Sequence, residues 1–203
     1  MKAEHISSVE QRLGYTFKNK DLLVQALTRK AFALEQKQQN QNCEDQEVFR
    51  ILGDAVLKAI LVEMLINKGY DSRESITNKK SDLEKRENLG NMFQEIGITP
   101  FIRFGIGEQK QGIYTQSSVL GETFEALVAA VHLDTQSYET TKGLFINLFS
   151  KAALEDSEKK PSNKDSELDE MSKMWMRYNI CETCSHPDTC GTMRMCYLDI
   201  TGD

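Results

Sequence analysis

No stretch of this chain approaches the roughly 20 consecutive apolar residues that a membrane-spanning helix requires, so the sequence predicts no bilayer span. The N-terminus, Met1-Lys2-Ala3-Glu4-His5, lacks the apolar core of a secretory signal. The expected compartment is therefore the cytoplasm, where disulfides are not expected. Positive charge is also short: 25 Lys+Arg stand against 31 Asp+Glu, a net charge of −6. Domains held on nucleic acid by bulk charge are usually basic, so any such contact would have to come from a local patch. No strand-like alternation and no internal repeat occurs before residue 155.

What is present divides unevenly. The chain has 203 residues, 39% of them apolar, enough for one core and an appendage. Residues 1–155 carry 19 Lys+Arg and 21 Asp+Glu, whereas residues 156–203 carry 6 and 10, so the short tail holds most of the excess acid. Four of the five cysteines lie in that tail. The expected organisation is an all-α domain over 1–155, an acidic polar linker over 156–170 that buries little surface, and a Cys-rich extension over 171–203.

Helical periodicity predicts helices over 4–14 and 20–35, with Asp21 as the cap of the second. The polar stretch 35–45 reads as a loop. A long helix follows over about 46–67, in which Val48, Ile51, Leu52, Ala55, Val56, Ile60, Leu61 and Met64 recur at helical spacing. One or two helices are expected over 74–96, closing at Gly97. Residues 98–114 contain Pro100 and three glycines and read mostly as loop, followed by helices over 117–133 and 140–154.

Two acidic motifs interrupt the most apolar helices: Glu47-Val48-Phe49-Arg50-Ile51-Leu52-Gly53-Asp54 and Gly121-Glu122-Thr123-Phe124-Glu125-Ala126-Leu127. Positions 47, 50 and 54 share a helix face, as do 122 and 125. Carboxylates rarely enter a core unpaired. Four of them, Glu47, Asp54, Glu122 and Glu125, suggest a divalent metal site if the two faces meet; the plainer alternative is a solvated helix face. Mg²⁺ prefers such oxygen ligands and retains several waters, and a site of this kind can activate water for phosphodiester hydrolysis. Gly53 costs about 1 kcal/mol relative to Ala in mid-helix, so its presence points to close approach of another backbone.

The stretch Arg50-Ile51-Leu52-Gly53-Asp54-Ala55-Val56-Leu57 resembles the signature of ribonuclease III, in which acids flank a Leu-Gly-Asp core. The likeness extends to Leu13-Gly14-Tyr15-Thr16-Phe17, Leu22–Thr28, Phe104-Gly105-Ile106-Gly107-Glu108 with Gly112, and Ser118–Leu127, in order and at compatible spacing. The resemblance implies an all-α endonuclease domain that forms a homodimer and cuts double-stranded or structured RNA with Mg²⁺ (or Mn²⁺). By position it implies Asp54 and Glu125 as catalytic metal-binding carboxylates, Glu122 and Glu47 as further ligands, Glu74 as an accessory acid, and Ile51 as the residue that plugs into the partner. The helix carrying Gly53 would lie at the dimer interface.

Three departures stand out. Arg50 occupies the position of a metal-ligating Glu, and a guanidinium cannot ligate a cation. It would pair with Asp54 or Glu122, or swing out to a phosphate. The double-stranded RNA-binding domain that often follows this module in the family is not expected in residues 156–203, which are too short, too acidic and too Cys-rich to form one. Arg29 stands where the family commonly has His, a change that by itself decides little. The chain is expected to be either a Mg²⁺-dependent endoribonuclease weakened by Arg50, or a non-catalytic dimer serving as an RNA-binding or assembly module.

Lys79, Lys80, Lys85, Arg86, Arg103 and Lys110 are the candidate RNA contacts, since helical RNA is read largely through shape and phosphates. For each alone, a solvated helix face is the alternative. In the tail, Cys181, Cys184, Cys190 and Cys196, with His186 nearby, form a set suited to Zn²⁺ or an iron–sulfur cluster. Reduced cysteines without metal are the alternative, and a protein partner through the tail is a further expectation. Cys43 lies in the polar loop and reads as incidental.

Overall fold

The structure, a computed structural model, describes residues 1–155. The linker expected over 156–170 and the Cys181, Cys184, Cys190 and Cys196 set lie outside the described residues. Among the described residues there are nine α-helices: α1 Ala3–Leu13, α2 Lys20–Ala26, α3 Lys30–Gln38, α4 Glu47–Asn67, α5 Arg73–Leu83, α6 Arg86–Ile96, α7 Ile106–Lys110, α8 Ser117–Thr135 and α9 Tyr138–Glu155. Short 3₁₀ turns occupy Thr99–Phe101 and Ile113–Thr115. The all-α reading holds for this part of the chain.

The core is built around α8. Its sequence is apolar on nearly every side, with Val119, Leu120, Phe124 and Ala126 through Val131 buried; a helix of that kind belongs inside a domain. It packs most extensively against α4 and α6, then α2. Phe124 stands edge-on to Phe145 and Phe149 of α9, with ring centroids 5.5 and 6.1 Å apart, which seats the last helix on the core. Gly97 ends α6 in the left-handed region (φ 73°), where glycine avoids the Cβ penalty.

Two local expectations are corrected. The segment 20–35 is two helices, not one, because Leu27–Arg29 leaves the helix to meet Arg103. Thr28 and Arg103 form an isolated parallel bridge. The Arg103 amide donates to the Leu27 carbonyl at 2.7 Å, and the Arg29 amide donates to the Arg103 carbonyl at 3.0 Å. The cap of α2 is Asn19, whose side chain accepts from the Asp21 amide; Asp21 itself lies in the first turn.

At the far end of α8, Asp134 ties the α1–α2 connection to the core. It accepts from the Tyr15 hydroxyl (2.7 Å) and from the amides of Lys18 and Asn19 (both 2.8 Å). Burial pushes this carboxyl up, but the Asn19 amide, the Tyr15 hydroxyl and the Lys18 amide outweigh it and hold it below its ordinary value. A depressed folded-state pKa contributes stability that is present above the unfolded value, near 3.9, and is lost as pH falls through the folded value. Asp134→Ala is therefore expected to lower stability by about 3 kcal/mol at neutral pH. Urea melts at neutral and acid pH should show that deficit shrinking as pH falls.

Candidate active site

The site forms where α4 crosses α8. A Cβ placed on Gly53 would lie 1.7 Å from the Glu125 carbonyl oxygen, so only glycine allows the two backbones to come this close. Gly53 thus faces α8 of its own chain. Of the two residues expected at a dimer interface, Ile51 is the exposed one, at 75%. The crossing places Asp54 beside Glu125. Burial, and next the negative charge of Asp54, push the Glu125 carboxyl up to about 7, against the opposing pull of Arg50 and Arg86. Asp54 is held from the outer side by Lys58, one turn along the helix, at 2.7 Å.

Glu122 lies one turn before Glu125 and is surrounded by cations. Arg29 Nη1 reaches its Oε2 at 3.0 Å, while Arg50 Nη2 and Arg86 Nη1 share its Oε1 at 2.8 and 3.4 Å. Arg29 is itself fixed by Glu108, which accepts from its Nη2 at 3.1 Å and its Nε at 3.2 Å. With its amide oriented to satisfy both neighbours, buried Gln46 accepts from Arg29 Nη1 and donates to the Ala26 carbonyl. Of the two carboxylates that Arg50 was expected to pair with, it takes Glu122.

The remaining acids lie elsewhere. Glu47 pairs with Lys30 at 2.8 Å, and that hydrogen bond holds its carboxyl below the ordinary value. Glu74 is exposed in the first turn of α5. Among the described residues no three Asp, Glu, His or Cys side chains form a ready ligand set. Of the four carboxylates, Glu47 pairs with Lys30, Asp54 with Lys58 and Glu122 with three arginines. The Asp54–Glu125 pair could hold a divalent ion, because Mg²⁺ is commonly held by one or two carboxylates with waters completing its shell.

The basic candidates separate in the same way. Lys79, Lys85, Arg86 and Lys110 are exposed. Lys85 pairs with Asp82 and Lys80 with Glu84, each at 2.7 Å. Arg103 turns inward: its guanidinium lies 4.2 Å from the Phe32 ring centroid and donates to Thr28 Oγ1. Sequence reasoning gave Arg29 little weight, although it organises the site. It follows the bridging Thr28 and has only 15% of its side chain exposed, a position set by the long-range pairing with Arg103.

Known proteins are similar to this chain over the region that holds the crossing. The ribonuclease-III-like family model matches residues 19–152, which include every residue of the crossing. Ribonuclease 3 of Pseudomonas aeruginosa (strain LESB58) is 34% identical over 131 residues, covering 64% of this chain and 53% of that protein. Ribonuclease 3 of Pseudomonas putida (strain F1) is 29% identical over 187 residues, covering 90% and 78%. The chain thus spans about half the length of several of the curated relatives it matches. Two solved structures of the nuclease domain of ribonuclease III from Campylobacter jejuni superimpose with TM-scores of 0.65 at 28% and 29% identity. They cover 72% and 75% of this chain, and 96% and 97% of those domains. With the match running through the whole α4–α8 crossing and over more than half of the sequence, this chain belongs to the ribonuclease III family, and its helical domain is that family's nuclease fold.

Proposed function

We propose that this chain is a Mg²⁺- or Mn²⁺-dependent endoribonuclease that hydrolyses phosphodiester bonds of double-stranded RNA as a homodimer. The observation that carries this is the Asp54–Glu125 pair at the Gly53 crossing, where burial, and next the charge of Asp54, push the Glu125 carboxyl up to about 7. A divalent cation bound there supplies charge neutralisation at the phosphodiester and a more acidic water. Asp54 and Glu125 would hold it. Lys58 orients Asp54 from behind, and the buried Arg29, backed by Glu108 and Gln46, keeps Glu122 out of the donor set. A donor set of two carboxylates predicts weak ion affinity. Long duplex RNA incubated with the purified chain and Mg²⁺ tests the reading through the appearance of cut products.

The dimer is supported by an exposed apolar strip at the start of α4, where Val48 and Ile51 are 70% and 75% exposed. Apolar side chains this exposed and this close together mark an interaction surface. Ile51→Asp is expected to convert the dimer to monomer in sedimentation velocity without unfolding it. An Ile51→Asp protein that sediments as the unmodified chain does would remove Ile51 from the interface.

A second reading, a non-catalytic dimer that binds RNA, is favoured by the three arginines on Glu122. Duplex RNA bound but left uncut at every Mg²⁺ and Mn²⁺ concentration would decide for it. The proposal of Zn²⁺ at Cys181, Cys184, Cys190 and Cys196 rests on their spacing alone. Metal analysis of the purified chain tests it, and sub-stoichiometric zinc and iron would reject a metal site there.

A further inference from the structure

Three guanidiniums from three different elements converge on one carboxylate beside the Asp54–Glu125 pair. Arg29 precedes α3, Arg50 lies on α4, and Arg86 opens α6. They are not equivalent. Arg29 is buried and saturated by Glu122 and Glu108, so its role is to anchor. Arg50 and Arg86 are the outer pair, with 28% and 65% of their side chains exposed, and both are directed at a single oxygen, Glu122 Oε1. A guanidinium carries five N–H donors, so one shared carboxylate oxygen leaves most of theirs free. Arg50 Nε is buried without a hydrogen-bond partner, so Glu122 does not satisfy the whole guanidinium. The charges agree. Arg29, Arg50 and Arg86 face Glu122 and Glu108, leaving one positive charge in excess within the cluster.

We infer that Arg50 and Arg86 form a phosphate-binding pair that seats a backbone phosphate of duplex RNA beside Asp54 and Glu125 without the help of a metal ion. This deepens the reading given under Proposed function and rests on it. Planar guanidiniums match phosphate oxygens in a bidentate manner. Glu122 is then not a ligand but the counter-charge that holds the two guanidiniums together until an anion arrives. On that account Arg50 is a tethered cation near the scissile region, and RNA affinity becomes partly independent of Mg²⁺.

The test is binding of a fluorescently labelled RNA duplex to the full chain in EDTA, followed by anisotropy between about 50 and 200 mM salt. The unmodified chain is expected to bind. Arg50→Gln and Arg86→Gln should each weaken binding several-fold and lower the slope of log affinity against log salt by roughly 0.9, the signature of one lost phosphate contact. Arg50→Lys, which keeps the charge, should retain most of the slope. Circular dichroism melts verify that each variant is folded, and the exposed Arg86 supplies the variant least able to disturb the core. Affinity and slope unchanged in both Gln variants would overturn the inference alone, as would binding by the unmodified chain in Ca²⁺ but not in EDTA. No binding of duplex RNA in either condition would overturn the inference together with the functional reading beneath it.

Discussion

Asp54→Asn and Glu125→Gln are each expected to lower cleavage of duplex RNA by about 10²–10³-fold, the usual effect of removing one group that stabilises charge in a transition state. Both replacements keep the shape of the side chain and remove its negative charge, so what they test is the charge. Neither should unfold the domain. The folded-state partner of Asp54 is an exposed lysine on the same helix, and such pairs contribute only a few tenths of a kcal/mol. Glu125 is raised to about 7 by burial first and by Asp54 second. Its ionised form therefore opposes folding at neutral pH and above, and Glu125→Gln should melt at the same temperature or slightly higher. The combination expected is lost activity with kept or improved stability, read from cleavage rates and thermal melts on the same preparations. Activity retained in both variants would remove this pair from the reaction.

Gly53→Ala is expected to be the most damaging substitution of a single methyl group in the fold. The added Cβ would meet the Glu125 carbonyl oxygen at 1.7 Å and its carbon at 2.5 Å. These are backbone atoms of a central helix, so no flexible side chain can move aside, and α4 must lift from α8. Overpacking of a core costs about 1–3 kcal/mol, occasionally more, and here it overrides the helix-propensity gain of about 1 kcal/mol that Ala would bring. A net loss near 2 kcal/mol corresponds to a fall of roughly 4–8 °C in melting temperature for a chain of this size. Gly143→Ala is the matched control. It also lies within a helix but has nothing within 4 Å of its added Cβ, so it should leave the melting temperature unchanged or raise it. Because the Gly53 crossing also sets the spacing of Asp54 and Glu125, Gly53→Ala should lose activity beyond what its melting explains.

Much of this was legible in the sequence, and the parts that were not share a cause. Periodicity located α4 and α8 because each buries a wide apolar face over five turns or more, and the cost of Gly53 in mid-helix pointed to a close backbone contact. The break at Leu27–Arg29 was invisible because it depends on Arg103, far away in sequence; the apolar stripe of Leu22, Leu23, Ala26 and Leu27 carries on as if the helix did. Arg29 was undervalued for the same reason. Spacing put the acids of each motif on common faces, but it carries no information on which cations arrive from other elements. Lys30 pairs with Glu47, Lys58 with Asp54, and Arg29, Arg50 and Arg86 with Glu122. Arg50 was recognisable as the residue out of place, and its partner became evident only with the fold.

The most direct test of a two-carboxylate nuclease site is cleavage of long duplex RNA by the full chain across Mg²⁺ and Mn²⁺ titrations, with Arg50→Glu measured alongside. Cut products that appear and saturate with added ion, at a lower ion concentration in Arg50→Glu than in the unmodified chain, are expected. The absence of cleavage by the unmodified chain at every concentration of both ions would contradict the assignment.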